Sequence, residues 1–150
     1  MSRHVYLLNG PNLDLLGERE PELYGRSTLA DVEAQCRAAA ASFGLELECH
    51  QSNAEHDLVD WLHEARRAAG IVINPAAFCY HSVPILDALR LCESPIIEVH
   101  ISNIYRRDET WRSHSILAAA CTAVITGCGI EGYRLAIEYL GRRIGSRSSP

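Results

Sequence analysis

The sequence predicts an α/β fold in which helices cover both faces of a parallel β-sheet. Short apolar runs of strand length recur along the chain, and amphipathic segments with helical periodicity separate most of them. A strand that is followed regularly by a helix returns to the same sheet through a right-handed crossover, so neighbouring strands become parallel. These two observations together favour an open parallel sheet.

Each element has its own signal. The runs predicted to be strands are residues 5–8, 45–49, 71–73, 96–99 and 123–125. Helical spacing is found among Leu29, Val32, Cys36, Ala39 and Phe43, and again among Leu58, Leu62, Ala65 and Ala69. A third helix opens at Ser82 and Pro84 and runs through Leu91, and Tyr133, Ile137 and Leu140 mark a last one. The stretch 105–120 is predicted to be helical in part.

Five strands connected in this way favour the flavodoxin-like strand order 2-1-3-4-5. The sequence predicts one domain over residues 1–144, with no repeat or linker, and a frayed tail over residues 145–150, which are rich in Ser and Arg.

Composition excludes several classes of protein. The chain is 47% hydrophobic and 22% charged, as is typical of globular proteins. A net charge of -5 without a basic cluster argues against a nucleic-acid partner. No signal peptide or membrane-length apolar run is found, so we expect a cytoplasmic protein with no membrane contact. The six cysteines form no Cys-x-x-Cys pair and the histidines show no metal spacing, which predicts reduced, mostly buried thiols and no metal site.

Polar residues follow four of the five predicted strands. Ligands of open α/β sheets bind beyond the carboxyl ends of the strands, where this chain carries Asn, His and Ser side chains. Such neutral donors and acceptors suit a polyhydroxylated substrate. Capping of the following helix is the alternative role, and we prefer it for Ser52 and Ser82. For Asn12 and Asn74 we favour a role in the site.

One motif is tempting but does not predict a cofactor. Residues 127–132 fit the G-x-G-x-x-G pattern of dinucleotide-binding proteins. Too few residues follow Gly132 to supply another strand with a ribose-binding acid, so a tight turn explains these glycines better. An FMN site is also poorly supported, because the first loop has no phosphate cradle rich in Ser and Thr.

The long connection over residues 8–25, hinged by Gly17 and Gly25, is typical of a functional lid. It closely resembles the signature of type II 3-dehydroquinate dehydratases, as do residues 51–53, 60–65, 98–104 and 132–136. The resemblance runs in order from Val5 to about Leu140. It implies a flavodoxin-like lyase of the shikimate or quinate pathway that uses no metal, cofactor or Schiff base. It also implies a homo-oligomer built from trimers, usually a dodecamer.

The resemblance implies that 3-dehydroquinate is dehydrated to 3-dehydroshikimate through an enolate. Tyr24 is then the base, and because a free tyrosine has a pKa near ~10, it needs the neighbouring cation of Arg19 to ionise. Asn12 holds the water that bonds the enolate oxygen. His100 protonates the leaving hydroxyl, and Glu98, two residues earlier on the same strand face, orients it.

The same resemblance implies residues that bind the substrate. The backbone of Ile101 and Ser102 takes the substrate carboxylate. Asn74, Asp87 and Arg112 hold the hydroxyls and the neighbouring subunit.

The chain departs from the family pattern after the third strand. The family's substrate-contacting histidine falls on Tyr80, and His81 takes the next position. Arg107 and Arg112 match only with a gap. Which of Tyr80 and His81 faces the substrate stays open, although an ungapped alignment of Ser82 favours Tyr80. Two alternatives follow: the same chemistry on a related ketone such as an amino-substituted dehydroquinate, or a binding or assembly protein without catalysis.

Overall fold

A computed structural model describes residues 2–18, 22 and 25–148, with side chains described up to residue 145. The strands are β1 (His4–Asn9), β2 (Glu46–Gln51), β3 (Gly70–Asn74), β4 (Ile96–His100) and β5 (Ala123–Thr126). The helices are α1 (Leu29–Ala41), α2 (Glu55–Ala65), α3 (Val83–Arg90) and α4 (Glu131–Ser148). Each predicted strand and helix is present.

The five strands form one parallel sheet in the order β2-β1-β3-β4-β5, which confirms the predicted flavodoxin-like topology. The register pairs Asn9 with both Gln51 and Asn74, and His100 with Thr126. The carboxyl ends of all the strands therefore meet at one edge of the sheet, where the polar residues were expected to collect.

Alternation along the strands creates two apolar layers. On one face, Leu7 and Val99 pack with Val32 of α1 and Ile137 of α4. The opposite face has a layer of its own, to which Leu8, Ile73, Leu58 of α2 and Ile85 of α3 belong. Because both faces are covered, every residue of β3 and β4 is buried.

Local hydrogen bonds set where the helices begin. Thr28 and Asp31 form a reciprocal capping box at the start of α1. The hydroxyl of Ser82 caps α3, as expected, by accepting from the backbone N–H of Ile85 at 3.2 Å. Ser52 does not cap α2, whose N-cap residue is Ala54. Its hydroxyl instead accepts from the Ala54 N–H at 2.9 Å and donates to Asp57, which stabilises the turn before the helix.

The segment between β4 and β5 contains three short 3₁₀ helices, Ile104–Arg106, Thr110–Arg112 and Ala118–Ala120. Another, Ala76–Tyr80, follows β3. Helix α4 continues to Ser148, so residues 145–148, predicted to be frayed, have helical backbone. None of the described helices has the length and apolar character needed to span a membrane.

Candidate active site

A cavity opens beyond the carboxyl ends of β1, β3 and β4 and includes about 700 Å³ of empty space, its open mouth counted. Seven of the residues proposed from the sequence line it: Asn12, Asn74, Tyr80, His100, Ile101, Ser102 and Arg112. Its remaining wall is formed by Pro11, Leu13, Leu16, Ala76, Ala77, Ile104 and Arg107. Residues far apart in sequence thus converge where the topology predicts a site.

The other proposed site residues lie elsewhere. Glu98 is buried behind His100 and does not reach the cavity surface. His81 and Asp87 are exposed, and neither lines the cavity. Arg19 and Tyr24, the expected base and its cation, lie outside the described residues.

The first loop is held at the cavity by the residues that follow β2. The backbone N–H of Asn12 donates to Oδ1 of Asn53 at 2.9 Å, and Nε2 of Gln51 donates to the carbonyl of Gly10 at 3.1 Å. Asn12 has a φ of 70°, a left-handed conformation that asparagine tolerates better than most residues. The Gln51–Asn53 motif therefore sets the position of Asn12.

The ends of β1 and β3 approach so closely that only glycine fits between them. The N–H of Gly10 donates to the carbonyl of Asn74 at 2.8 Å. A Cβ at Gly10 would lie 2.4 Å from the carbonyl oxygen of Pro75, far inside van der Waals contact. The loop with Asn12 is thereby locked against the loop that leads to Tyr80.

A buried hydrogen-bond chain beneath the cavity fixes Asn74. Its Nδ2 donates to the hydroxyl of Tyr133 at 2.8 Å, and that hydroxyl donates to Oδ1 of Asn9 at 2.7 Å. Its Oδ1 accepts from the N–H of Ala76 at 3.1 Å. Both ends of the amide are therefore engaged, so its orientation toward a ligand is set by the protein.

The acid–base group of the cavity is a pair of buried side chains on β4. Nε2 of His100 hydrogen-bonds to one carboxylate oxygen of Glu98, and the side chains are 5% and 0% exposed respectively. Because Nε2 faces Glu98, Nδ1 is the ring nitrogen left for a ligand. The hydrogen bond to Glu98 fixes the orientation of the ring, so the free nitrogen of His100 can serve as an acid–base group toward a ligand in the cavity.

The glycine-rich turn after β5 supports the backbone at His100. The N–H of Gly127 donates to the carbonyl of His100 at 3.1 Å, and the N–H of Gly129 donates to that of Ile101 at 2.9 Å. Gly127 has a φ of 92°, which side chains rarely permit. Here the G-x-G-x-x-G pattern is thus a structural support for the segment that carries the predicted acid.

One wall of the cavity is basic and aromatic. The rings of Tyr80 and Trp111 meet edge to face at 5.8 Å between centroids, and the guanidinium carbon of Arg112 lies 5.6 Å from the centroid of the Trp111 ring. Burial raises the pKa of Tyr80, although Arg107 and Arg112 oppose the shift. Tyr80 is therefore neutral near pH 7. The two arginines suit an anionic ligand.

Arg107 also lines the cavity but was not among the site residues proposed from the sequence, although Arg112, which matches the family pattern with the same gap, was. Nη2 of Arg107 donates to the hydroxyl of Ser102 at 3.1 Å. The contact with Ser102 depends on the conformation of the segment between the two residues, which hydrophobic periodicity does not predict.

Two groups of three described side chains bring potential metal-ligand atoms within 4.8 Å of one another: Cys79, Glu98 and His100 beside the cavity, and Glu48, His50 and Glu64 away from it. In the first group, burial and Glu98 raise the pKa of Cys79 to about 12, so its thiol stays protonated at neutral pH. A protonated thiol is a poor ligand, and Glu98 already pairs with His100. That donor set suits proton transfer better than metal binding.

Comparison with known proteins gives consistent matches. Residues 3–141 match the family model described as Dehydroquinase class II. The chain is 57% identical to a 3-dehydroquinate dehydratase of Methylobacterium radiotolerans, over 93% of this chain and 94% of the relative. It is 59% identical to 3-dehydroquinate dehydratase 2 of Agrobacterium fabrum, over 89% and 91% respectively. The crystal structure of type II dehydroquinase from Propionibacterium acnes superposes with a TM-score of 0.87 at 42% identity, covering 95% of this chain and 98% of that one.

Proposed function

The chain belongs to the class II dehydroquinase family, and we propose on this basis that it dehydrates 3-dehydroquinate to 3-dehydroshikimate. The observation that carries the proposal is the buried Glu98–His100 pair, whose His100 lines a cavity that also presents Arg107 and Arg112. That arrangement joins a proton donor to a site for an anionic substrate, as dehydration of a hydroxylated keto acid requires.

The reaction begins with removal of a proton beside the ketone. By family resemblance, ionised Tyr24 takes that proton, and Arg19 stabilises the phenolate. The electron pair moves onto the ketone oxygen to form an enolate, which a water on Asn12 stabilises by hydrogen bonding. Asn12 lines the cavity and is held there by Asn53, which supports this role.

Loss of the hydroxyl completes the reaction. As the enolate collapses, the C–O bond of the leaving group breaks and the proton of His100 converts the hydroxyl to water. The position of Glu98 supports this role, because its hydrogen bond fixes the ring of His100.

Substrate binding is assigned to the rest of the cavity. The backbone of Ile101 and Ser102 takes the carboxylate, and Arg112 and Asn74 hold hydroxyl groups. All four residues line the cavity. Asp87 is exposed on α3, outside the cavity, so its proposed contact is with a neighbouring subunit.

The alternative functions are not favoured. Relatives of 57% and 59% identity over nearly the whole chain are named 3-dehydroquinate dehydratases, so neither a different ketone nor a non-catalytic role is needed to explain the chain. The tyrosine at position 80 is then a departure from the family pattern that leaves the activity the same.

Assembly and location are part of the proposal. Family resemblance implies trimers that form a dodecamer, and mass measurement by light scattering at micromolar concentration tests it. A cytoplasmic location is supported by six free cysteines, because reduced thiols persist in the cytosol.

The proposed activity is tested by mixing the purified protein with 3-dehydroquinate and following the ultraviolet absorbance of the conjugated enone product. An amino-substituted dehydroquinate is compared under the same conditions. Turnover of 3-dehydroquinate supports the proposal, whereas turnover of the amino analogue alone contradicts it.

A further inference from the structure

The two oxygens of the Glu98 carboxylate have different partners. Oε2 hydrogen-bonds to His100. Oε1 lies 3.7 Å from Sγ of Cys121, and among the described residues this thiol is the hydrogen-bond donor to Oε1. We propose that Cys121 is a positioning residue of the dehydration reaction, whose thiol donates to Glu98 and keeps that carboxylate ionised and aligned on His100. This inference rests on the proposed function.

The backbone fixes the thiol in this place. Cys121 lies two residues before β5, and its N–H donates to the carbonyl of Ala118 at 3.1 Å. The next residue, Thr122, donates from its N–H to the carbonyl of Ile96 at 2.7 Å, which ties the segment to the start of β4. These bonds hold Cys121 beside β4, and it is not among the residues that line the cavity.

The thiol has two acceptors within reach. Sγ lies 3.4 Å from the carbonyl of Leu117 and 3.7 Å from Oε1 of Glu98. Hydrogen bonds to an ionised acceptor are roughly twice as strong as those between neutral groups, so the charge on Glu98 favours the carboxylate despite the longer distance. Because the Glu98 side chain is 0% exposed, bulk water cannot replace this donor.

Cys121 remains a donor at neutral pH. Burial, together with the nearby charge of Glu98, raises the pKa of its thiol above the ordinary range. Other titratable or charged groups close to Glu98 are His100 on its own strand, Cys79 after β3, whose pKa is raised to about 12, and Arg107, whose charge opposes the shift of Cys79. Both thiols beside Glu98 are therefore neutral near pH 7.

Removing the donor has a defined consequence for pH dependence. The S–H dipole stabilises the ionised carboxylate, so its loss increases the proton affinity of the coupled Glu98–His100 pair. We expect the lower apparent pKa of the kcat/KM profile to rise by on the order of half a pH unit, a shift typical of one weak donor.

The test compares Cys121→Val, which keeps a small apolar side chain but removes the donor, with Cys121→Ser, which keeps a donor. Cys92→Ala is the matched control, because that half-buried thiol donates to the carbonyls of Leu62 and Ala88 and not to Glu98. The measurements are kcat/KM for 3-dehydroquinate across pH and the imidazole pKa of His100 by NMR.

Cys121→Val is expected to raise both the lower apparent pKa of the kcat/KM profile and the imidazole pKa of His100. It should lower kcat by about 3- to 10-fold with KM nearly unchanged, since the substitution acts on the acid rather than on substrate binding. Cys121→Ser should restore the wild-type profile, and Cys92→Ala should not shift it. The inference is overturned if the Cys121→Val profile and His100 pKa match those of the wild type. A wild type that fails to turn over 3-dehydroquinate overturns the proposed function instead. If Cys121→Val does not fold, a folded Cys121→Ala variant with an unshifted His100 pKa overturns the inference equally.

Discussion

Nε2 of His100 hydrogen-bonds to the carboxylate of Glu98, and both side chains are buried, with His100 in the wall of the cavity and Glu98 behind it. The strand itself creates the pair, because residues two apart on β4 point to the same side of the sheet. The loop that carries the predicted base lies elsewhere in the sequence. Proton donation and proton removal can therefore be disrupted separately by mutation.

Replacing His100 should remove most of the turnover. His100→Ala is expected to lower kcat by about 10²- to 10⁴-fold, the range typical of a lost general acid, with a much smaller change in KM. Glu98→Gln should lower kcat less, because an amide still accepts a hydrogen bond but carries no charge. Steady-state kinetics at pH 7 measure both effects. His63→Ala is the control, since His63 is exposed on α2. Unchanged kcat in His100→Ala would assign the acid to another group.

Tyr80 and His81 should differ sharply in their effect on activity. Tyr80 lines the cavity, whereas the adjacent His81 is exposed outside it. Tyr80→Ala is expected to lower kcat/KM for 3-dehydroquinate by about 10-fold or more, because it removes a wall that contacts Trp111. His81→Ala should remain within about twofold of the wild type. A loss on the order of a hundredfold in His81→Ala would make His81 the functional residue.

The hydroxyl of Tyr133 should contribute measurably to the free energy of unfolding. Tyr133→Phe leaves Oδ1 of Asn9 and Nδ2 of Asn74 without this partner in the interior. We expect the free energy of unfolding in urea to fall by about 1–3 kcal/mol, the cost of buried polar groups left unsatisfied. Tyr139→Phe, on an exposed part of the same helix, is the comparison. Equal stability of the two variants would show that the buried hydrogen-bond chain contributes nothing to the free energy of unfolding.

Buried thiols should make the protein less stable in alkali. Burial raises the pKa of Cys36 from an ordinary value of about 9 to about 12. Between these values the unfolded state has released the proton and the folded state still holds it, so rising pH favours unfolding. The free energy of unfolding is predicted to fall from pH 9 upward. Cys36→Ala should reduce that slope and Cys128→Ala, at an exposed cysteine, should not. If the free energy of unfolding fell equally steeply with pH in the two variants, burial of the Cys36 thiol would not be the cause.

The fold was predictable because the pattern of buried faces sets the hydrophobic periodicity of each element, and the order of the elements then indicates the topology. The apolar run of β3 is continuous since both faces of that strand are covered, and this feature is visible in the sequence, whereas Glu98 interrupts the run of the equally buried β4. The stretch 105–120 was less predictable because its three short 3₁₀ turns have no period long enough to detect. The helical backbone at residues 145–148 was likewise obscured by their Gly- and Ser-rich composition.

The site was predictable in part. Asn12, Asn74 and His100 follow strands, and the topology alone places them at one edge. The support beneath them was not visible, because the link between Asn9 and Tyr133 joins residues 124 positions apart. The thiol of Cys121 beside Glu98 is a tertiary contact of the same kind, and a cysteine in an apolar pattern gives no sign of its acceptor.

The central claim is that dehydration begins when Tyr24 removes the proton beside the ketone. Its most direct test is kcat for 3-dehydroquinate in Tyr24→Phe, together with the affinity for an enolate-like inhibitor. Tyr139→Phe is the matched control. We predict that Tyr24→Phe lowers kcat by at least about 10²-fold while inhibitor affinity stays nearly unchanged, because the phenolate acts in the transition state. Wild-type kcat in Tyr24→Phe would contradict the claim and require another base.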